Sequence, residues 1–177
     1  MIEIKVADIR LWQANYRQGD VAMIIKSIAQ FGYNRSVSLW RDNVVIAGNH
    51  TVKALQQMEN EGYDPPQNVT VIANQWIIEV TDASHLSDKE AEAYAIADNR
   101  ASDIATNDES QLASLLQQLQ NEDEQLFQAT GWNSDDLQEL LRGLVIEPPN
   151  DFQEYGDDID IDYCCPKCGY EWSGKPK

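Results

Sequence analysis

Residues 44–58, VVIAGNHTVKALQQM, constrain the fold more than any other stretch. A run of three β-branched residues and an alanine ends at Gly48, and Val52, Leu55 and Met58 then fall on one helical face. The hydrophobic period changes at the glycine, which is the pattern of a strand running directly into a helix through a tight turn. Backbone N–H groups and the positive end of a helix dipole converge at such a turn, which suits an anion or a phosphate. Gly48, Asn49, His50 and Thr51 occupy it, with Lys53 close behind. The plain alternative is that Asn49 only caps the helix and His50 is surface polarity.

The chain around this junction alternates strand and helix signals. Ile2, Ile4 and Val6 alternate with Glu3 and Lys5 as a half-buried strand does. An irregular stretch carrying Arg17 follows, and Asp20 is placed to cap a helix over residues 21–31 that Gly32 ends. Residues 37–40 and 44–47 flank Arg41-Asp42-Asn43 as a β-hairpin. Residues 69–80 predict the next strand, with Asn74 as its breaking point. Ser87 and Glu90 form a capping box for a long helix to Ile104, made slim by Ala91, Ala95, Ala97 and Ala101. Within it, Asn99 and Asp103 share a face, as do Arg100 and Ile104. A solvated face with an Asp–Arg pair is the plain reading of that segment.

Downstream, Asn107 or Asp108 caps a helix over residues 110–119, and Phe127 and Trp132 interrupt. Residues 134–136 then cap a last helix over 137–144. The two helices are too short and acidic for a helix-turn-helix that enters DNA. The expected organisation is an α/β (α+β) domain over residues 1–105 and a helical extension over 106–146. An acidic, Pro-bearing linker over 147–163 and a Cys-knuckle tail over 164–177 complete it.

Composition bounds the function. The net charge is −17. Residues 82–163 hold three Lys/Arg against twenty-one Asp/Glu, whereas residues 1–81 hold seven against eight. A duplex-binding surface needs clustered cations, so the acidic half points to solubility or a basic partner. No apolar run spans a bilayer and no basic n-region precedes an apolar core at the N-terminus, so the cytoplasm is the default location and no membrane partner is expected. All three cysteines lie in the last fourteen residues. Cys165-Pro166-Lys167-Cys168-Gly169 reads as half of a zinc knuckle, needing two further ligands from another chain or a fold-back. The other reading is a free-thiol tail.

Three ordered motifs carry a family resemblance: Phe31-Gly32, then Ile46-Ala47-Gly48-Asn49-His50, then Ala97-Asp98-Asn99-Arg100. Together they resemble the N-terminal domain of the ParB/sulfiredoxin superfamily over residues 1–105. The match is closest to stand-alone ParB-like proteins found beside DNA methyltransferases and in phages and mobile elements. The TGW-x-x-x-DL-x-x-LL pattern of residues 130–141 and the Cys ending look like that subgroup.

The resemblance implies a mixed small sheet with helices and a pocket for CTP or another NTP with Mg²⁺. The pocket residues it implies are Arg17, Gly48, His50, Asn99 and Arg100. Asn49 stands where sulfiredoxins carry their catalytic cysteine, which removes sulfinic acid reductase chemistry. Thr51 stands where both branches carry arginine, and Lys53 is the nearest cation. The resemblance also implies an accessory role in DNA modification, segregation or phage biology, with slow NTP hydrolysis, a DNA methyltransferase as the link to DNA, and a homodimer. A ParB-like DNA nuclease and a non-catalytic interaction module are the two other classes.

Overall fold

The computed structural model describes residues 1–144 and 163–172, which fall in two separate compact units, Met1–Leu144 and Val145–Lys177. The linker expected over residues 147–163 lies outside the described residues except for Tyr163.

In the larger unit the strands are β1 (Ile2–Lys5), β2 (Arg10–Leu11), β3 (Ser38–Trp40), β4 (Val44–Ala47), β5 (Thr70–Ile72) and β6 (Gln75–Asp82). They form one mixed sheet in the order β1-β6-β3-β4-β2, with β5 paired to β6. β1 runs antiparallel to β6, β3 runs parallel to it, and β2 runs parallel to β4. β3 and β4 make the expected hairpin, closed by Asp42 and Asn43 in the left-handed region. The strand expected over residues 69–80 is instead a second hairpin. Ala73 and Asn74 both adopt positive φ (51° and 62°), the geometry of a two-residue turn that reverses the chain.

Three helices cover the sheet: α1 (Val21–Phe31), α2 (Asn49–Asn60) and α3 (Asp88–Asp103). The side-chain alternation of β4 divides the interior. Val45 belongs to the main core with Ile25, Ile28, Val52, Leu55, Met58, Ile78 and Val80, from α1, α2 and β6. Its neighbour Ile46 belongs to a smaller cluster with Ala83, Ala91 and Ala95, against which Trp12, Trp40 and Leu86 pack. Of the four alanines expected to thin α3, only Ala91 and Ala95 are buried; Ala97 and Ala101 are exposed. The Ser87–Glu90 capping box is formed in full, and Asp20 caps α1 by accepting from the Met23 N–H.

The C-terminal helices are α4 (Glu109–Glu122), α5 (Glu124–Ala129) and α6 (Ser134–Leu144). They enclose Leu116, Phe127 and Leu137 in a third apolar cluster. α5 was not expected: Phe127, read as an interruption, sits fully buried inside it. The cap of α6 lies one residue earlier than expected, since Asn133 Oδ1 accepts from the N–H groups of Asp135 and Asp136. These helices lie against α1, where Gln125 donates to Gln30 and Met23 fills the space above Gly131. Among the described residues no helix is long and apolar enough to cross a membrane.

Candidate functional site at the α2 N-terminus

The junction forms as its sequence dictates. β4 ends at Ala47, Gly48 turns the chain at φ 91°, and α2 begins at Asn49. A left-handed residue at this point favours glycine, and here a side chain has no room either. A Cβ on Gly48 would meet Val37 Cγ1 at 2.6 Å. No side chain caps the helix, so the N–H groups of its first turn remain available to a ligand.

Residues 12–20 run past this helix end and are fastened to it twice. Asn49 is buried; its Oδ1 accepts from the Trp12 N–H (3.0 Å) and its Nδ2 donates to the Val45 carbonyl (3.2 Å). Both ends of that amide are engaged within the protein. At the far end of the segment the Gly19 N–H donates to His50 Nε2 (2.9 Å). The accepted bond assigns the proton of the neutral imidazole to Nδ1. Gly19 lies so close to the ring that a Cβ there would stand 2.9 Å from His50 Cγ and Nδ1. Partial burial, then the positive charges of Lys53 and Arg17, hold the His50 pKa below its ordinary value of 6.5.

Between these anchors Arg17 reaches α3. Its guanidinium pairs with Asp103 (2.9 Å) and donates to the Asn99 carbonyl (3.3 Å). The Asn99 side chain turns back on its own helix, donating to the Ala95 carbonyl and leaving Oδ1 free to accept. The structure therefore gathers Arg17, His50 and Lys53 around the first turns of α2, and Arg17 ties that end to the Asn99–Asp103 face of α3. Thr51 is half-buried and Lys53 exposed on α2. Arg100 is exposed on α3 and, among the described residues, its side chain makes no ion pair or hydrogen bond.

Sequence reasoning missed Gly19, Trp12 and the pairing of Asp103 with Arg17. A glycine immediately before the capping Asp20 was a signal for the first; the other two depend on contacts between distant segments. Volume alone does not select this site. A cleft of about 510 Å³ lies elsewhere, beside Glu3, Tyr33, Asn68 and Glu79. Its lining includes two carboxylates and no Lys, Arg or His, a poor match for an anion. The chemistry of the donors favours the α2 terminus.

The smaller unit contributes a hairpin of β7 (Tyr163–Cys164) and β8 (Glu171–Trp172). Cys165, Cys168 and Gly169 form the turn between them, with Gly169 at φ 71° and its N–H donating to the Cys165 carbonyl (2.8 Å). Hydrogen bonding from the Lys167 and Cys168 backbone, and then from the Cys168 thiol, holds the Cys165 pKa below the ordinary thiol value. All three cysteines are free.

No protein-family model matches the chain, and no curated protein matches it by sequence. Among solved structures, it is similar to the C-terminally truncated chromosome-partitioning protein ParB from Caulobacter crescentus, complexed with CTP-gamma-S. The TM-score is 0.55 at 14% identity, over 80% of this chain and 76% of that one. The mixed α/β architecture is thus a ParB-like fold.

Proposed function

We propose that the Met1–Leu144 unit binds a nucleoside triphosphate at the N-terminus of α2. One observation carries this reading: an uncapped helix N-terminus surrounded by Arg17, His50 and Lys53. CTP is the leading candidate, because the structurally similar ParB holds CTP-gamma-S. The donor set fits a polyphosphate. Past Gly48, the N–H groups of Asn49, His50 and Thr51 face the helix end, and Nδ1–H of His50 adds a donor. Lys53, Arg17 and Arg100 supply charge, and Asn99 Oδ1 is free to accept from a ribose hydroxyl or an exocyclic amine. Mg²⁺ accompanying the triphosphate would be held through phosphate oxygens.

Arg17 is already paired, and magnitudes decide whether that matters. Its bond to Asp103 joins two side chains about 40% and 46% exposed, and such pairs contribute about 0.2–1 kcal/mol. A charge-assisted bond to phosphate contributes about 1.5–3 kcal/mol. Exchange of Asp103 for a phosphate oxygen is therefore favourable.

Titration calorimetry with CTP, ATP and GTP tests the reading. Arg17→Ala and Arg100→Ala are each expected to weaken binding about tenfold, the equivalent of roughly 1.4 kcal/mol. Asn99→Ala is expected to cost less, a neutral bond only. Asp103→Asn releases Arg17 and is expected to tighten binding a few-fold. If Arg17 and Asp103 only fasten the loop to α3, neither substitution changes nucleotide affinity at unchanged stability.

At the level of the cell, the reading is an accessory protein of DNA modification, segregation or phage biology, reaching DNA through a partner such as a DNA methyltransferase. Slow hydrolysis of the bound triphosphate is measured in the same preparation as phosphate release. A nuclease would need clustered carboxylates for its metal ions, and nothing among the described residues favours that chemistry. If no nucleotide binds, a non-catalytic interaction module replaces the nucleotide reading.

A further inference from the structure

The turn of the β7–β8 hairpin has the form of a metal-binding knuckle. Cys165 and Cys168 flank Pro166 and Lys167, Gly169 closes the turn in the left-handed region, and the turn is fastened by the Gly169 N–H donating to the Cys165 carbonyl and the Cys165 N–H donating to the Tyr170 carbonyl (2.8 Å each). Two cysteines three residues apart on a tight glycine-closed turn are the spacing of one half of a structural zinc site, where they bind as thiolates. Two residue pairs between β7 and β8 hold the frame, and the Trp172 ring stacks with Tyr163 (5.6 Å) and Tyr170 (6.2 Å).

A tetrahedral zinc site takes four ligands, and this turn supplies two. The inventory of remaining soft or imidazole ligands in the whole chain is short: Cys164, His50 and His85. Cys164 lies on β7 in register with Glu171 and does not gather with Cys165 and Cys168 around a common point. His50 Nε2 already accepts from the Gly19 N–H. Among the described residues no three His, Cys, Asp or Glu side chains gather around a common point. With three cysteines in all, one chain cannot make a four-thiolate site by itself, and among the described residues the turn is a half site.

We propose that two copies of this chain share one zinc ion, each contributing Cys165 and Cys168 to a four-thiolate site. Zinc binding releases the thiol protons to solvent, involves no redox change and joins the two tails. The site is incomplete without the second copy. The proposal is independent of nucleotide binding at α2.

The experiment uses the full chain, kept reduced and titrated with ZnCl₂. Bound zinc is quantified, and mass is followed by light scattering during size exclusion. The expected result is about one zinc per two chains, a zinc-dependent dimer, and return to monomer with a chelator. Cys165→Ser and Cys168→Ser are each expected to abolish both zinc retention and dimerisation, and Cys164→Ser to leave both intact. Cobalt substitution is expected to give the intense visible bands of tetrahedral thiolate ligation in wild type and in Cys164→Ser. One zinc per monomer would show that His85 or carboxylates of the same chain complete the site, and would overturn the proposal. So would an absence of bound zinc, or a dimer unaffected by chelator and by the Cys165 and Cys168 substitutions.

Discussion

At Gly48 and His50 single residues decide whether the α2 terminus exists. Any side chain at position 48 meets two penalties. The left-handed conformation costs an L-residue about 1–2 kcal/mol. Contact with Val37 at 2.6 Å adds an overpacking term of about 1–3 kcal/mol. Gly48→Ala is therefore expected to destabilise the protein by about 2–5 kcal/mol in denaturant titration, whereas Gly62→Ala, with open space around it, loses only the conformational part. A Gly48→Ala protein as stable as Gly62→Ala would refute the close approach to Val37. His50 adds a pH dependence. Its folded pKa lies below the unfolded value of about 6.5, so the unfolded chain takes up the proton first as pH falls. The His50 contribution is complete above about pH 6.5 and is lost as pH drops toward the folded pKa. His50→Gln keeps a side chain able to accept from Gly19 but cannot be protonated. Between about pH 7.5 and 5.5 the denaturation midpoint of wild type is expected to fall more than that of His50→Gln. Equal falls would mean that the His50 pKa is the same in the folded and unfolded chain.

Among the elements, the two hairpins show what local pattern reveals and where it stops. The β3–β4 hairpin was legible because Asp42 and Asn43 are residues that tolerate positive φ. The β5–β6 hairpin read as one broken strand because Ala73 carries no turn signal, although it too sits at positive φ. Replacing Ala73-Asn74 by Asn-Gly is accordingly expected to stabilise the protein, by about 1 kcal/mol, since the left-handed penalty on alanine is relieved. A lower denaturation midpoint in that double variant would place the turn in another geometry. The helices divide the same way. α1, α2 and α3 announced themselves through a cap, a glycine junction and a capping box, all local chemistry. α5 has six residues, less than two turns, too few for a period to register. Its importance lies in Phe127, which is fully buried in the third cluster; Phe127→Ala is expected to cost about 3–5 kcal/mol and to melt α4–α6 first in hydrogen exchange. The candidate site was half legible for a related reason. Gly48, His50 and the Asn99–Asp103 face follow from helical spacing, whereas Gly19 on His50 and Arg17 on Asp103 join segments 31 and 86 residues apart in sequence, beyond any local period.

For the whole molecule, the uneven charge sets what it can meet directly. Arg100 apart, the cations that matter to the α2 terminus belong to residues 1–81, which are close to neutral, while residues 82–163 carry eighteen more acidic than basic side chains. Duplex binding draws its affinity from counterion release, in proportion to the phosphates neutralised by Lys and Arg. Arg17 pairs with Asp103, and Arg41 pairs with Asp88 (3.0 Å) while lying over the Trp40 ring, so two of the N-terminal cations already have partners. The acidic segment also repels a polyanion over a range of about 8 Å at physiological ionic strength, so a local basic site reaches a small triphosphate more readily than a long duplex. The full chain is therefore expected to bind unselected duplex DNA no more tightly than the roughly micromolar non-specific range at about 150 mM salt. Fluorescence anisotropy with a labelled duplex, repeated with saturating CTP, measures it. Nanomolar affinity without a partner protein would mean that a cationic face overcomes the acidic segment, and that contact with DNA is made by this chain itself. Tighter binding only in the presence of CTP would instead couple the α2 site to DNA, and Arg17→Ala should then abolish the enhancement while leaving the weak nucleotide-free binding in place.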